Sequence, residues 1–362
     1  MVYNLCRQLE RRGFRNRVVT ANRLFREPGR ILPAEEVIDG IEVVRVPFSG
    51  SSRYPLMPGI FGHVADADLI HVHAVDFAFD ALSWGRLLHR RPMVATTHGG
   101  FFHTQNYAAI KQVWFRTITR ISASGYRQLV CCSQSDSEQF RQIAPTRTVT
   151  IENGADIGKY AGRSSPVPGR RIVTIGRFSV NKRLENLIAA MVPLAATGED
   201  WHLDIIGVNS DLTADGLAAL AAKAGVSDRV RVHLALPNEE VARLLDRASI
   251  MASASEYEGF GLVAVEAMSA GLAPVLEGND AYRKLAARHP DLLITDFTRP
   301  ETAAAAIRAC HQRLETDGEA IRQRLMREAG AYSWEAVADH YVDAYRRAVP
   351  SLGARLPLPV ER

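Results

Sequence analysis

Residues 255–271 read SEYEGFGLVAVEAMSAG, a stretch with carboxylates at Glu258 and Glu266. Gly259 and Gly261 flank Phe260, so the backbone can turn tightly there and bring its N–H groups close to a ligand. The apolar run from Leu262 to Met268 predicts a buried helix, whose first N–H groups have no partner within the helix and suit a phosphate. Glu266 falls four residues beyond Leu262, about 6 Å along the axis. A carboxylate on so apolar a segment needs a partner. A ribose diol, with two hydroxyl donors, is one answer; a solvent-facing place on an amphipathic helix is the other. Glu258, ahead of the turn, is placed to reach a sugar carried by the same ligand.

Outward from this stretch, apolar β-branched runs alternate with helical stretches. They fall at 171–175, 202–206, 230–234, 250–252 and 273–276, and earlier at 17–20, 41–45, 69–72, 93–96, 128–131 and 149–151. This pattern predicts an α/β protein with two parallel sheets flanked by helices. RSSPVPGR at 163–170 reads as a linker and divides the chain into domains 1–162 and 163–333. Residues 334–349 predict a last helix with Val337, Tyr341, Tyr345 and Ala348 on one face, expected to pack back on the first domain. The tail at 350–362 has no pattern. Residues 2–12 read at once as a helix, where a doubly wound domain opens with a strand and a glycine turn.

Two more segments carry chemistry. In RIVTIGRFSVNKRLENL (171–187), a strand ends at Gly176, and Arg177 and Lys182 follow in the loop. Ligands of parallel α/β domains bind at such carboxyl strand ends. Two cations there suit a diphosphate, whose charge grows on the leaving oxygen as a bond to it breaks. In RPMVATTHGGFFHT (91–104), His98 leaves a strand end ahead of Gly99 and Gly100.

The 362 residues suffice for two domains, and 47% hydrophobic with 23% charged residues is ordinary for a globular chain. No run approaches the ~20 apolar residues of a membrane span. Cys6, Cys131, Cys132 and Cys310 show neither metal-ligand spacing nor a disulfide framework. The net charge of +4 divides into +7 over residues 1–150 and −3 over the rest. The basic half suits an anionic membrane or a phosphorylated ligand, or is simply an unevenly decorated surface. No Gly-x-Gly-x-x-Gly follows a strand, which disfavours a nicotinamide-linked dehydrogenase.

Glu258 and Glu266, embedded in EGFGLVAVEAMSAG, resemble the E-x7-E signature of retaining family 4 glycosyltransferases. The match extends to Gly176-Arg177 with Lys182, to ATTHGGFFHT, and to residues 1–349 broadly. The resemblance implies the GT-B fold, two Rossmann-like domains whose parallel sheets face across a cleft. It further implies that Arg177 and Lys182 hold the donor diphosphate, Glu266 the ribose, and Glu258 with the Gly259, Phe260, Gly261 and Leu262 backbone the sugar. By the same resemblance His98 lies beside the donor sugar and β-phosphate, Ser133 and His103 line the cleft, and 151–154 (IENG) closes the first domain. Ser133 and the IENG turn are equally open to a structural reading.

Together with HVHAVDF at 71–77, these segments look most like the subgroup of α-mannosyltransferases in xanthan- and acetan-type exopolysaccharide assembly. That implies mannose transfer from GDP-mannose to a cellobiosyl-diphosphopolyprenol at the inner membrane face, with no metal, cofactor or nucleic acid. No Asp-x-Asp follows a strand end, in keeping with a metal-free site. Residues 107–126 carry Ile110, Val113, Trp114, Ile118 and Ile121 at helical spacing beside Lys111, Arg116 and Arg120. Such a helix suits a membrane surface, or equally an ordinary core. The sequence departs from the family in lacking the opening strand and Gly-Gly loop, and in Glu277-Gly278-Asn279-Asp280 after the motif helix. A UDP-sugar-dependent transferase, and an inactive nucleotide-sugar or glycan binding protein, are the rival expectations.

Overall fold

The computed structural model describes residues 1–24, 27–51, 54–98 and 108–351. It comprises two compact units, Met1–Asn153 with Trp334–Arg362, and Gly154–Ser333.

The second unit is a six-stranded, all-parallel sheet. Its order is Val230–Leu234, His202–Asn209, Arg171–Phe178, Ile250–Ser253, Ala273–Glu277, Leu293–Thr295. Numbered along the chain this is 3-2-1-4-5-6, the doubly wound Rossmann order, whose direction reverses between the first and fourth strands. The central strands are buried on both faces, which explains their unbroken apolar runs. Helices Leu184–Ala196, Leu262–Ala270 and Pro300–Ala329 cover the sheet and supply much of its core.

Among the described residues the first unit holds two sheets of three or more strands, besides two two-stranded hairpins. Thr148–Thr150, Gln128–Cys131, Met93–Thr96 and Ile70–His73 form a four-stranded parallel sheet in that order. Arg17–Ala21 pairs in parallel with Ile41–Val46, which also takes Glu35–Ile38 antiparallel. Arg17–Ala21 and Ile70–His73 each end their own sheet, so the single sheet expected of this domain is divided. Helix Val2–Glu10 buries Leu5, Cys6 and Leu9. Helix Trp334–Ala348 lies in this same unit against the first helix and strands Met93–Thr96 and Gln128–Cys131. Its Val337, Tyr341, Tyr345 and Ala348 are buried.

Two expectations are corrected. The division falls at Asn153/Gly154, ahead of the Arg163 boundary. The 163–170 stretch is no free linker, because the second unit's backbone takes it up. Ser164 N donates to Ala270 O, Ser165 N to Ala248 O, and Gly169 N to Ser249 Oγ. Arg322 secures it further through Ser164 Oγ and Gly162 O. The sequence reading also omits strands Glu35–Ile38 and Leu293–Thr295 and the hairpins Arg23–Leu24/Glu27–Ile31 and Ser49–Ser51/Tyr54–Leu56. Glu35–Ile38 is exposed along its length and so shows no apolar alternation. Among the described residues no helix is long and apolar enough to cross a membrane.

Candidate functional site

In the second unit the two motif loops leave neighbouring strands. Arg177 is the next-to-last residue of the first strand, which runs two residues past the Gly176 end expected from the sequence. Lys182 follows in the short turn Val180–Lys182, and residues 256–261 follow the fourth strand, so all emerge where the strand order reverses. This is where open α/β sheets hold ligands. A small solvent-open cavity of about 260 Å³ lies there, lined by Gly176, Arg177, Lys182, Leu184, Ser253 and Ser255.

Asn181 joins the loops. Its Nδ2 donates to Tyr257 O at 2.8 Å, its Oδ1 accepts from Tyr257 N at 3.1 Å, and its own carbonyl accepts from Glu256 N at 3.0 Å. Arg183, in the left-handed region at φ 47°, adds an ion pair to Glu256. With the loops so fastened, Lys182 Nζ lies 2.6 Å from Glu258 Oε1. Both side chains are mostly buried, at 22% and 15% exposure, which strengthens their attraction over that of a surface pair. Arg177 is exposed at the cavity and makes no ion pair among the described residues.

The chain turns at Gly261, φ 90°, to start helix Leu262–Ala270, and no side chain caps that end. Ala264 N and Val265 N both bond to Gly261 O, so the open donors are those of Leu262 and Val263. Phe260 offers the site only its backbone, since its ring is buried beside Tyr332. Glu266 is half-buried in the helix. Burial raises its pKa, Lys159 opposes this, and Asp156 adds to it. Neither Lys159 nor Asp156 figures in the sequence reading, because they follow a turn more than a hundred positions away; nor does Asn181 as a clip, 76 positions from Tyr257. No signal local to either residue marks these roles.

In the first unit, His98 stands at φ 51° just past strand Met93–Thr96. Its Nε2 lies 2.9 Å from His73 Nδ1, and the rings stack at 5.2 Å. His71 continues the row, 2.7 Å from both Thr96 Oγ1 and Tyr345 OH. Burial lowers the pKa of all three imidazoles, to about 3 for His73 and about 4 for His98. His98 is therefore neutral near pH 7 and offers a hydrogen bond rather than a charge. Its Nδ1 lies 3.7 Å from Cys132 Sγ. Ser133 caps helix Gln134–Arg141 by accepting from Asp136 N. Asp136 in turn accepts from Thr97 Oγ1, next to His98. His103, Gly99 and Gly100 lie outside the described residues.

The expected amphipathic helix is a composite: Ala108–Trp114, a π-helical turn Phe115–Thr119, then Arg120–Ala123. Its buried face is Phe115, Thr119, Ser122 and Ala123. Ile110, Val113, Trp114 and Ile121 are exposed, and Ile118 is intermediate. No group of His, Cys, Asp and Glu among the described residues could hold a metal ion.

Residues 1–159 match the model of glycosyltransferase family 4, and residues 163–324 that of glycosyl transferases group 1. A GDP-mannose:cellobiosyl-diphosphopolyprenol alpha-mannosyltransferase of Komagataeibacter xylinus is 41% identical over 362 residues, spanning 98% of this chain and 89% of that protein. A protein of the same description from Xanthomonas campestris is 36% identical over 333 residues, spanning 92% and 88%. Among solved structures, sucrose-phosphate synthase of Thermosynechococcus elongatus has a TM-score of 0.67 at 19% identity, over 97% of this chain and 93% of that one. HepE of Anabaena, solved in complex with UDP, has a TM-score of 0.66 at 18% identity, over 84% and 85%. At these identities the structural likeness is one of fold.

Proposed function

The chain belongs to the family 4 glycosyltransferases, with the GT-B fold, and from that premise we propose that it moves mannose from GDP-mannose to a lipid-linked cellobiosyl diphosphate with retention of configuration. The observation that carries the reading is the gathering of Arg177, Lys182, Glu258 and the open end of helix Leu262–Ala270 at the strand-order reversal. These are the groups a nucleotide sugar needs. Arg177 and Lys182 meet the diphosphate as its charge grows, and the Leu262 and Val263 N–H groups add partial positive charge. Glu258 accepts from a mannose hydroxyl, and Glu266 accepts from the ribose diol. Neutral His98 donates a hydrogen bond to the sugar or departing phosphate. With cations and helix end meeting the charge, no divalent metal is required.

The test is direct. The purified protein is incubated with membranes bearing lipid-linked cellobiose and radiolabelled GDP-mannose or UDP-glucose, with EDTA present. Transfer from GDP-mannose supports the reading; transfer from UDP-glucose alone overturns the donor, and label transferred from neither overturns the enzyme.

Glu266 gives the donor site a pH signature. Its raised pKa means that the carboxylate takes up a proton at a higher pH than an ordinary glutamate. Protonation removes the acceptor for the ribose hydroxyls. The donor KM is therefore expected to rise on acidification, beginning above the ordinary glutamate range near 4.3. In Glu266→Gln the KM is high throughout and this limb of the profile is gone; an unchanged limb refutes the ribose role.

The same reading places the protein on the inner face of the membrane, in exopolysaccharide synthesis. Support comes from the exposed face of residues 110–121 and the neighbouring turn, where Trp84, Leu87 (79%) and Leu88 (81%) stand out beside Arg86 and Arg90. Ser83 Oγ bonds to Ser122 O and Arg86 to Ser124 Oγ, so these are adjoining parts of one surface. Neither 81–91 nor 108–127 contains an acidic residue. Apolar side chains among cations suit an anionic bilayer at about 1 kcal/mol per cation near the surface. Replacing Lys111, Arg116 and Arg120 together by glutamine is expected to lower the partition coefficient on phosphatidylglycerol vesicles about tenfold or more, and undiminished co-sedimentation sinks the membrane placement.

A further inference from the structure

We propose that Tyr282 is a positioning residue for Glu258: its buried hydroxyl, fed by two serine hydroxyls, holds Oε1 so that Oε2 meets the donor sugar. The proposal rests on the sugar-binding reading of Glu258 above.

Tyr282 lies in helix Asp280–Ala286 and is fully buried. Asn279 caps that helix, its Oδ1 accepting from Tyr282 N at 2.9 Å. Its Nδ2 donates to Ser255 O at 2.8 Å, which pins the helix start to the chain just ahead of Glu258. The Tyr282 hydroxyl is 3.2 Å from Glu258 Oε1 and 2.9 Å from Ser253 Oγ, and Ser253 Oγ is 3.1 Å from Ser255 Oγ.

Counting donors gives this row a direction. A carboxylate only accepts, so Tyr282 spends its one proton on Glu258. Ser253 then donates to Tyr282, and Ser255 to Ser253. The three O–H dipoles run the same way and strengthen one another toward Oε1. Burial and the charge on Glu258 both raise the Tyr282 pKa, so the phenol remains a donor. Lys182 also donates to Oε1, which leaves Oε2 as the oxygen for a sugar hydroxyl.

The two holds on Oε1 differ in kind. Lysine is a point charge on a flexible four-carbon stem, and in the proposed reaction the diphosphate competes for it. Tyr282 is rigid, buried and out of reach of that competition. Its ring has a second role: a Cβ on Gly261 would lie 2.9 Å from Tyr282 Cε1. One side chain thus backs both the carboxylate and the turn that opens the motif helix.

Tyr282→Phe keeps the ring and deletes the hydroxyl, and the assay is steady-state transfer from GDP-mannose by the full chain. A carboxylate out of place at the sugar is expected to lower kcat about 10–30-fold, while donor KM stays within about twofold because diphosphate and ribose contacts are untouched. In a Glu258→Gln background the same change is expected to cost less than about twofold, since coupled residues are non-additive. An unchanged kcat in Tyr282→Phe, or equal losses in both backgrounds, overturns the proposal. Should Tyr282→Phe fail to fold, Ser253→Ala carries the test by removing the donor behind the phenol. A few-fold fall in kcat at constant KM then supports the proposal, and an unchanged kcat overturns it. If the unsubstituted protein transfers no mannose, the function reading fails and the proposal with it; normal transfer beside an insensitive Tyr282→Phe defeats the proposal alone.

Discussion

Lys182→Ala is expected to lower kcat for mannosyl transfer by about 10²–10³-fold, the usual cost of deleting one preorganised electrostatic group. The ammonium is the cation nearest Glu258, and Arg177 is the other cation at the cavity. As the glycosidic bond breaks, the diphosphate gains charge. The stabilisation from Lys182 therefore grows toward the transition state, which is why the loss falls on kcat. Affinity for GDP should weaken as well. Folding should survive, because Asn181 still joins the two loops and Tyr282 still donates to Glu258. A cost of about 1 kcal/mol corresponds to a melting shift of roughly 2–4 °C in a unit of this size. Lys182→Arg restores charge without the same reach, so partial recovery is expected. More than about a tenth of normal kcat in the alanine variant, with folding intact, would refute the assignment.

Glu258→Ala is expected to lose about 10²-fold in kcat with the opposite effect on nucleotide binding. Removing the carboxylate deletes the acceptor for a mannose hydroxyl. It also releases Lys182 from a 2.6 Å pair, leaving the ammonium free for the diphosphate. GDP binding by calorimetry should therefore hold or tighten in Glu258→Ala while it weakens in Lys182→Ala. Equal weakening in both variants would show that the pair acts on the nucleotide as one structural element, and the division into sugar and diphosphate roles would fall.

Both substitutions concern residues legible in the sequence, yet their relation to each other was not. The strands of the second unit could be read because burial on both faces leaves unbroken β-branched runs. The turn at Gly261 could be read because φ 90° suits glycine, with Tyr282 excluding a side chain besides. His98 could be found beside its glycines, whereas the neutral state set by its burial could not. Edge strands such as Glu35–Ile38 left no trace, since exposed residues carry no periodic apolar signal.

By itself, then, the sequence determined the α/β class, the family, and the identity of the charged residues at the strand ends. These depend on short-range pattern: apolar period, turn chemistry, and a carboxylate spacing across one turn into the helix that follows it. Only the tertiary structure decided that Lys182 and Glu258, 76 positions apart, share a hydrogen bond. It alone set Tyr282 behind that pair, and it drew residues 154–170 into the second unit. The reason is the strand order. Placing the first strand beside the fourth is a property of the whole sheet, and the loops that meet at that reversal contain nothing local to say so.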